Sequence, residues 1–351
     1  MIAHRELRQA VLEEVPDSGF DTLILTATHT HSGPGGYLRG WLPERVTGGE
    51  FNPETLGQVA RAAAEALNRA LADLAPAVVT SGEVRLDLAV NRRRGSGPRE
   101  TALPILQARF PDGRTPVLVF GYGAHPTVIS PDGKLYSADY VGAARNWLEA
   151  RGVRSLFLPG PLGDQQPAPH TGALWDGSVE RQQQQAAEVG ARLGRAVLDA
   201  VPALPDLASQ NLAVAEHWTE APPVALRRFC TMWWFAPFIR GAVTRFVSTE
   251  VPLQALRVGG AVLIALPAEP GTTVGNAIRR HMPGASARFV VSLSNDWLGY
   301  VVSADEFEDG GYEACLSLHG PGFAAWLVEE AAKTLQLIEP SAELVKPRSN
   351  P

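Results

Sequence analysis

At 351 residues, 45% of them hydrophobic, the chain has the apolar material for one large domain or two smaller ones. A formal net charge of −6 leaves no basic surplus and argues against nucleic acid as the main partner. No run of about 20 uninterrupted apolar residues occurs, so no transmembrane helix is expected. The first seven residues carry charge and lack the apolar centre of a signal peptide. Cys230 and Cys315 are the only cysteines; no disulfide framework is expected from them, and a thiolate metal site is excluded.

In chain order, Leu7, Val11 and Val15 recur at helical spacing, so the chain begins inside an amphipathic helix. Residues 21–27 are rich in β-branched side chains and predict a buried strand that runs into Thr28-His29-Thr30-His31-Ser32-Gly33-Pro34-Gly35-Gly36. On a strand His29 and His31 share a face. The glycines and proline beyond them let the backbone turn sharply and leave room for a substrate. Paired imidazoles in that setting suit a metal site, or a ligand beside an acid/base; the plain alternative is two structural or solvated histidines.

Residues 52–73 predict a capped helix with proline in its first turn. Residues 78–90 predict a strand pair leading into Asn91-Arg92-Arg93-Arg94, and 116–123 a buried strand ending at Ala124-His125-Pro126. A helix over 141–150 and a short strand over 155–158 run into Gly160-Pro161-Leu162-Gly163-Asp164. A long helix spans 178–200, an extended connection 202–223, and strands 251–256 and 261–266 flank a Gly259-Gly260 turn. A helix over 272–280, a strand over 288–293, a helix over 322–337 and a polar tail over 341–351 complete the chain. Strands and helices alternate without internal repeats, which predicts an α/β fold of mixed sheets flanked by helices in one domain, residues 1–340.

Groups suited to a hydrolytic metal site follow predicted strands at four places: His29/His31, His125, Glu269 and Tyr300. Each has a dull alternative. His125 precedes proline and serves a turn, Glu269 caps the following helix, and Tyr300 packs in the core.

Taken together, these segments resemble the catalytic domain of the neutral ceramidase family, zinc-dependent amidases that cleave the N-acyl bond of ceramide. Thr28 to Gly36 carries the most specific match. His125-Pro126-Thr127 resembles the second histidine segment and Ser137-Ala138-Asp139 the serine-x-aspartate element. Leu266-Pro267-Ala268-Glu269 resembles the proline-glycine-glutamate segment, with Ala268 and Pro270 departing from it. Asn295 to Val302, Tyr312-Glu313-Ala314 and Gly320-Pro321 resemble the closing motif, with His319 where the family usually has tyrosine.

The resemblance implies that His29, His125, Glu269 and Tyr300 bind Zn2+, that His31 acts as acid/base, and that Arg92 of Asn91-Arg92 lies near the substrate carbonyl. Tyr312, Asp139 and Asp164 are implied to touch substrate or support the site. The substrate implied is an N-acyl lipid such as ceramide. The family's immunoglobulin-like C-terminal domain, and the strands that precede its first helix, do not appear in this sequence. An apolar flank left by those strands is therefore expected to be exposed or covered by another chain.

Three other readings stand beside this one. The chain is a hydrolase of another acylated amine or ester, a non-catalytic zinc-stabilised binding protein, or a serine hydrolase through Ser32 or Ser137; neither serine sits in a Gly-x-Ser-x-Gly elbow. The aromatic run Cys230-Thr231-Met232-Trp233-Trp234-Phe235 and onward to Ile239 lines an acyl groove, touches a membrane surface, or packs in the core.

Overall fold

The computed structural model of the chain describes residues 1–16, 20, 22–40, 44, 48–93, 97–168, 177–205, 211–227, 230 and 236–339. Its elements in order are α1 (Arg5–Glu14), α2 (Pro53–Ala72), β1 (Val78–Arg85), β2 (Ala89–Asn91), β3 (Ala102–Arg109), β4 (Val117–Tyr122) and α3 (Asp139–Glu149). There follow β5 (Arg154–Pro159), β6 (Gln165–Pro167), α4 (Val179–Ala200), β7 (Leu212–Glu220), α5 (Ala236–Phe246), β8 (Glu250–Val258) and β9 (Ala261–Ala265). Last come β10 (Glu269–Pro270), α6 (Thr272–Arg279), β11 (Ala287–Val291), β12 (Tyr300–Val301), α7 (Ala304–Asp309), α8 (Tyr312–Cys315) and α9 (Phe323–Gln336).

Strand alternation explains the layering. In β4, Leu118 and Phe120 pack toward Val141, Ala144 and Leu148 of α3 and Val189, Leu193 and Val197 of α4, while Val119 faces the other way. In β9, Val262 and Ile264 pack with Val274 and Ile278 of α6 and Phe323, Leu327 and Leu335 of α9, while Ala261 and Leu263 turn inward. The inward residues meet those of the facing strands, Leu106, Leu158, Ala287, Phe289 and Val291, so two sheets stack with helices on both outer faces. The sheet orders are β1-β3-β4-β5 and β11-β9-β8-β7. Each contains one parallel pair, β4 with β5 and β9 with β11, closed by the crossover helices α3 and α6; the other pairings are antiparallel. A satellite cluster of Leu7, Val11, Leu23, Tyr37, Leu38 and Ala60 joins α1 and α2 to the body.

Helices read from the sequence correspond closely to α2, α3, α4, α6 and α9. Asn52 caps α2, its Oδ1 accepting from Glu54 N at 2.8 Å. Among the described residues no helix is long and apolar enough to cross a membrane.

Several expectations are corrected. The 21–27 segment is not a regular strand: its one bridge, Thr26 to Ser294, sits in an extended stretch held by Ala27 N to Leu293 O and Asn295 N to Leu25 O. Residue 21 itself lies outside the described residues. The strands β1 and β2 do not pair with each other; β1 pairs with β3, which the sequence reading missed, and β2 with β6. The 202–223 connection contains β7, nine residues whose alternate side chains are exposed, an edge strand that mixes apolar and polar residues on both faces and so does not stand out in sequence. Cys230 and Cys315, 85 residues apart, form a disulfide, because the loop before α5 and the end of α8 meet with Cα atoms 5.3 Å apart. Residues 341–351 lie outside the described residues, as do Arg94 and residues 231–235 with Trp233, Trp234 and Phe235, so the aromatic run is described only at Cys230 and from α5 onward.

Candidate active site

The carboxyl ends of the two parallel strand pairs supply the site, as open α/β sheets generally do. His125 lies three residues past β4, the Leu162–Asp164 turn follows β5, Glu269 follows β9, and Trp297 and Tyr300 follow β11. The two short strands β10 and β12 pair in parallel with Glu269 opposite Tyr300, which sets both side chains side by side. Two glycines permit the close approach. A Cβ on Gly163 would lie 2.6 Å from Glu269 O, and one on Gly299 (φ 93°) 2.5 Å from Leu316 O.

Hydrogen bonds fix each ring. His125 Nδ1 faces Leu162 O at 2.6 Å and His29 Nδ1 faces Met1 O at 2.9 Å. A carbonyl cannot donate, so both Nδ1 atoms carry a proton, and in the neutral rings both Nε2 atoms present lone pairs. Tyr300 donates its hydroxyl to His125 Nε2 at 3.0 Å. Glu269 Oε2 lies 3.2 Å from His125 Nε2 and 3.3 Å from His29 Nε2, and His31 Nε2 lies 3.3 Å from His29 Nε2. The ligand atoms of His29, His31 and His125 all fall within 4.8 Å of one another; the outer two are buried and His31 is exposed.

His29 occupies the left-handed region (φ 67°), rare for a non-glycine residue and an outlier typical of functional sites. The alternation of a strand is therefore broken at His29, yet the two imidazoles still meet. Their loop is tied down by the serine-x-aspartate element. Thr30 Oγ1 donates to Ser137 O at 2.6 Å, Ser137 N to Ser32 O at 2.9 Å, and Asp139 N to Ser137 Oγ at 3.0 Å.

Buried charge decides the electrostatics. Burial alone would raise the Glu269 carboxyl, but His29 and His125 hold it well below the usual carboxylate range. Burial, then the Arg92 charge, lowers His125 to about 3. His31 keeps an exposed surface, but its ring packs against those of His29 and His125, and the desolvation of that packing together with the two neighbouring rings lowers it as well. Burial and the Glu269 charge raise the Tyr300 phenol. Two Nε2 atoms converging on a buried carboxylate make a donor set that a cation fits, and Nδ1–H donation to backbone carbonyls is the usual support for histidine ligands. The His29, His31 and His125 group thus has the donors to hold a metal ion.

Arg92 reaches the same point. Its Nε donates to Glu313 Oε1 at 2.8 Å and its Nη2 to Gly163 O at 2.9 Å and to the Tyr300 hydroxyl at 3.3 Å. Tyr312 stands edge-on to Tyr300, ring centroids 5.7 Å apart, with the Arg92 guanidinium 5.6 Å from its own ring. Asp164 is a hub behind the site. It accepts from Thr272 N, Thr272 Oγ1, Gln165 Nε2 and Asn91 Nδ2, and its backbone carbonyl accepts from Arg92 N. Asp139 makes no hydrogen bond to the histidines; it accepts from Ile129 N and Tyr140 N at the start of α3 and acts on their loop through Ser137. His319 is buried with its ring against Phe323 and its Nδ1–H on Pro222 O.

A pocket of about 720 Å³ opens over this cluster. His29, His31, Glu269 and Tyr300 form its polar end, and Ile239, Val243 and Phe246 of α5 with Trp297, Leu316 and Leu318 form an apolar wall. Two participants escaped the sequence reading: Glu313, which pairs with both Arg92 and Arg93, and Trp297, whose indole donates to Glu269 Oε1 at 2.6 Å. Both lie inside or beside motifs already recognised, but a pairing of groups this far apart in sequence leaves no local pattern.

The sequence profile of the neutral/alkaline non-lysosomal ceramidase N-terminal domain matches residues 1–156. Over those residues the chain resembles the neutral/alkaline ceramidases. It is 25% identical over 410 aligned positions to the neutral ceramidase of Mycobacterium tuberculosis, covering 90% of this chain and 64% of that one. A 100-residue stretch is 29% identical to neutral ceramidase B of Dictyostelium discoideum, 26% of this chain and 14% of that one. The crystal structure of neutral ceramidase from Pseudomonas aeruginosa superposes with a TM-score of 0.78 at 18% identity, over 95% of this chain and 64% of that one. A ceramidase complexed with C2 gives 0.80 at 18% identity, over 95% and 65%. The α/β fold of sheets flanked by helices is thus shared with the solved ceramidases, and the chain spans less than two thirds of each relative's length: 64% and 14% of the two ceramidase sequences and 64–65% of the two solved chains.

Proposed function

We propose that residues 1–340 form a zinc-dependent amidase domain that hydrolyses the amide bond of an N-acyl lipid, ceramide being the foremost candidate. The observation that carries the reading is the meeting of His29, His125, Glu269 and Tyr300, all but the fully buried His125 lining the polar end of a largely apolar pocket. These four side chains would hold Zn2+. A zinc ion there supplies Lewis-acid chemistry, polarising the amide carbonyl and making hydroxide available near neutral pH.

The remaining steps belong to the chain itself. The wall from α5 and Trp297 takes the alkyl chain and excludes water from it. Arg92, held by Glu313 and Gly163 O, presents a fixed positive charge to the carbonyl oxygen as negative charge develops there. His31, exposed at the pocket with its Nε2 beside the cluster, accepts a proton from the attacking water and delivers it to the departing amine. The products are a carboxylate and an amine.

A second reading of His31 has its own support: its Nε2 belongs to the tight three-histidine group, which would make it a ligand and leave proton transfer to another residue. The decisive experiment measures zinc per chain together with hydrolysis of a fluorescent N-acyl sphingosine and of N-acyl amino acids. About one zinc per chain and turnover of the sphingosine substrate are expected. Full turnover after exhaustive chelation would overturn the metal reading, and turnover of the amino-acid conjugates alone would overturn the lipid one.

A further inference from the structure

Glu269 divides its two oxygens between two tasks. Oε2 faces Nε2 of His29 and of His125, whereas Oε1 accepts the indole N–H of Trp297 at 2.6 Å. The terminal torsion of a glutamate is soft and broadly populated, so nothing in the side chain itself decides which oxygen faces the histidines. A donor locked onto one oxygen decides it.

Trp297 is well placed to be that donor. Its backbone N–H donates to Asp296 Oδ1 at 2.8 Å, and Asp296 Oδ2 in turn accepts from Ser248 Oγ. Its ring leans on Phe246 of α5, centroids 6.0 Å apart, and forms part of the apolar pocket wall. Indole N–H donates only and neither accepts nor titrates, so the Oε1 contact holds at any pH at which Glu269 is ionised.

We infer that Trp297 is a positioning residue: through its N–H on Glu269 Oε1 it aims Oε2 at the His29–His125 pair and thereby sets the affinity of the site for zinc. The inference rests on the zinc-site reading above. It also makes one side chain serve two ends of the pocket, since the face that meets an alkyl chain and the edge that orients the carboxylate belong to the same ring. Filling the apolar wall and orienting Glu269 are then coupled through a single rigid group.

The test compares wild type with Trp297→Phe, which keeps the ring and removes the donor, and Trp297→Tyr, which returns a donor at the end of a longer reach. Zinc affinity is read by competition with a chromophoric chelator, and the melting temperature of each metal-free protein is read alongside. Support around a metal ligand is typically worth 10–100-fold in affinity, so Trp297→Phe should lose zinc affinity by about that factor, with Trp297→Tyr recovering part of it and metal-free melting temperatures close together. Equal affinity in wild type and Trp297→Phe overturns the inference. So do equal losses in both variants, which would make the effect one of packing. A wild type that binds no zinc overturns the proposed function itself, so the two failures are told apart. Should a variant not fold, the wild type still decides: the Trp297 indole proton must exchange slowly with D2O and its 15N–1H resonance move on zinc addition, and rapid exchange or an unmoved resonance overturns the inference.

Discussion

His29 and His31 stand 3.3 Å apart at Nε2 but differ in everything around them. His29 is buried, its Nδ1 held by a carbonyl and its Nε2 facing Glu269; His31 is exposed and touches the cluster through one nitrogen. His29→Ala is therefore expected to lose both zinc and activity, whereas His31→Ala should keep its zinc and lose about 10²–10⁴-fold in turnover, the usual share of a general acid/base. Metal analysis and turnover on the same two preparations check this, and loss of zinc from His31→Ala would move His31 into the ligand set. Asp139 makes a separate prediction. Burial raises its carboxyl to about 6 although two backbone N–H groups donate to it. The native state thus binds this proton more tightly than the unfolded chain, where aspartate titrates near 3.9. The ionised form costs stability; the cost is fully present above pH 6 and fades as pH falls toward 4. Two units correspond to about 3 kcal/mol, so wild type should gain up to about that much relative to Asp139→Asn between pH 6 and pH 4. Urea unfolding across that window measures the difference, and a flat line would refute it.

At the scale of elements, α8 has the most to show. It is four residues long and cannot hold its shape alone, yet it delivers Tyr312 against Tyr300 and Glu313 to Arg92. The disulfide from Cys315 to Cys230 supplies the missing anchor, and both half-cystines line the pocket. Closing a loop of 85 residues restricts the unfolded chain by about 4–5 kcal/mol in the loop-entropy treatment. Replacing both cysteines by serine should lower unfolding free energy by about 2–5 kcal/mol and reduce kcat while zinc content holds, because Arg92 loses its fixed partner before any ligand moves. Unchanged kcat in the double variant would mean that α8 keeps its place without the bond. This element was also the least legible in the sequence. Two cysteines so far apart carry no spacing signal, and the helix is too short for periodicity. By contrast α4, with 22 residues and a regular apolar stripe, was readable almost to the residue. The strands β3 and β7 were missed for a related reason. Pro104 interrupts the first, and the exposed face of the second mixes Leu212, Val214 and Trp218 with Glu216 and Glu220.

Across the whole molecule, the candidate site was more legible than the fold that builds it. Histidine, glutamate and tyrosine segments could be picked out because each follows an apolar run, but the sequence held no sign that they come from two stacked sheets. His125 hangs from β4 in one sheet, Glu269 from β9 in the other, and His29 from a loop that joins neither as a strand. A metal held by all three would bridge the two sheets at one end only. The sheets themselves are closed by their own contacts: Leu103, Ile105, Leu118 and Phe120 on one side, Leu253, Ile264, Phe323 and Leu327 on the other, all fully buried away from the site. Removing zinc should therefore loosen the site loops without unfolding either sheet. At zinc a hundredfold above its dissociation constant the bound ion contributes about 2.7 kcal/mol, which for a domain of this size corresponds to a melting shift on the order of 5 °C. Hydrogen exchange gives the sharper readout. After chelation, amides of residues 28–32, 123–126, 266–270 and 295–300 should exchange faster, while those of β3, β4, β8 and β9 keep their protection. If protection in the strands falls together with that in the loops, the metal is holding the two sheets together rather than ordering their ends, and the view of a prebuilt scaffold carrying a metal-organised rim is wrong.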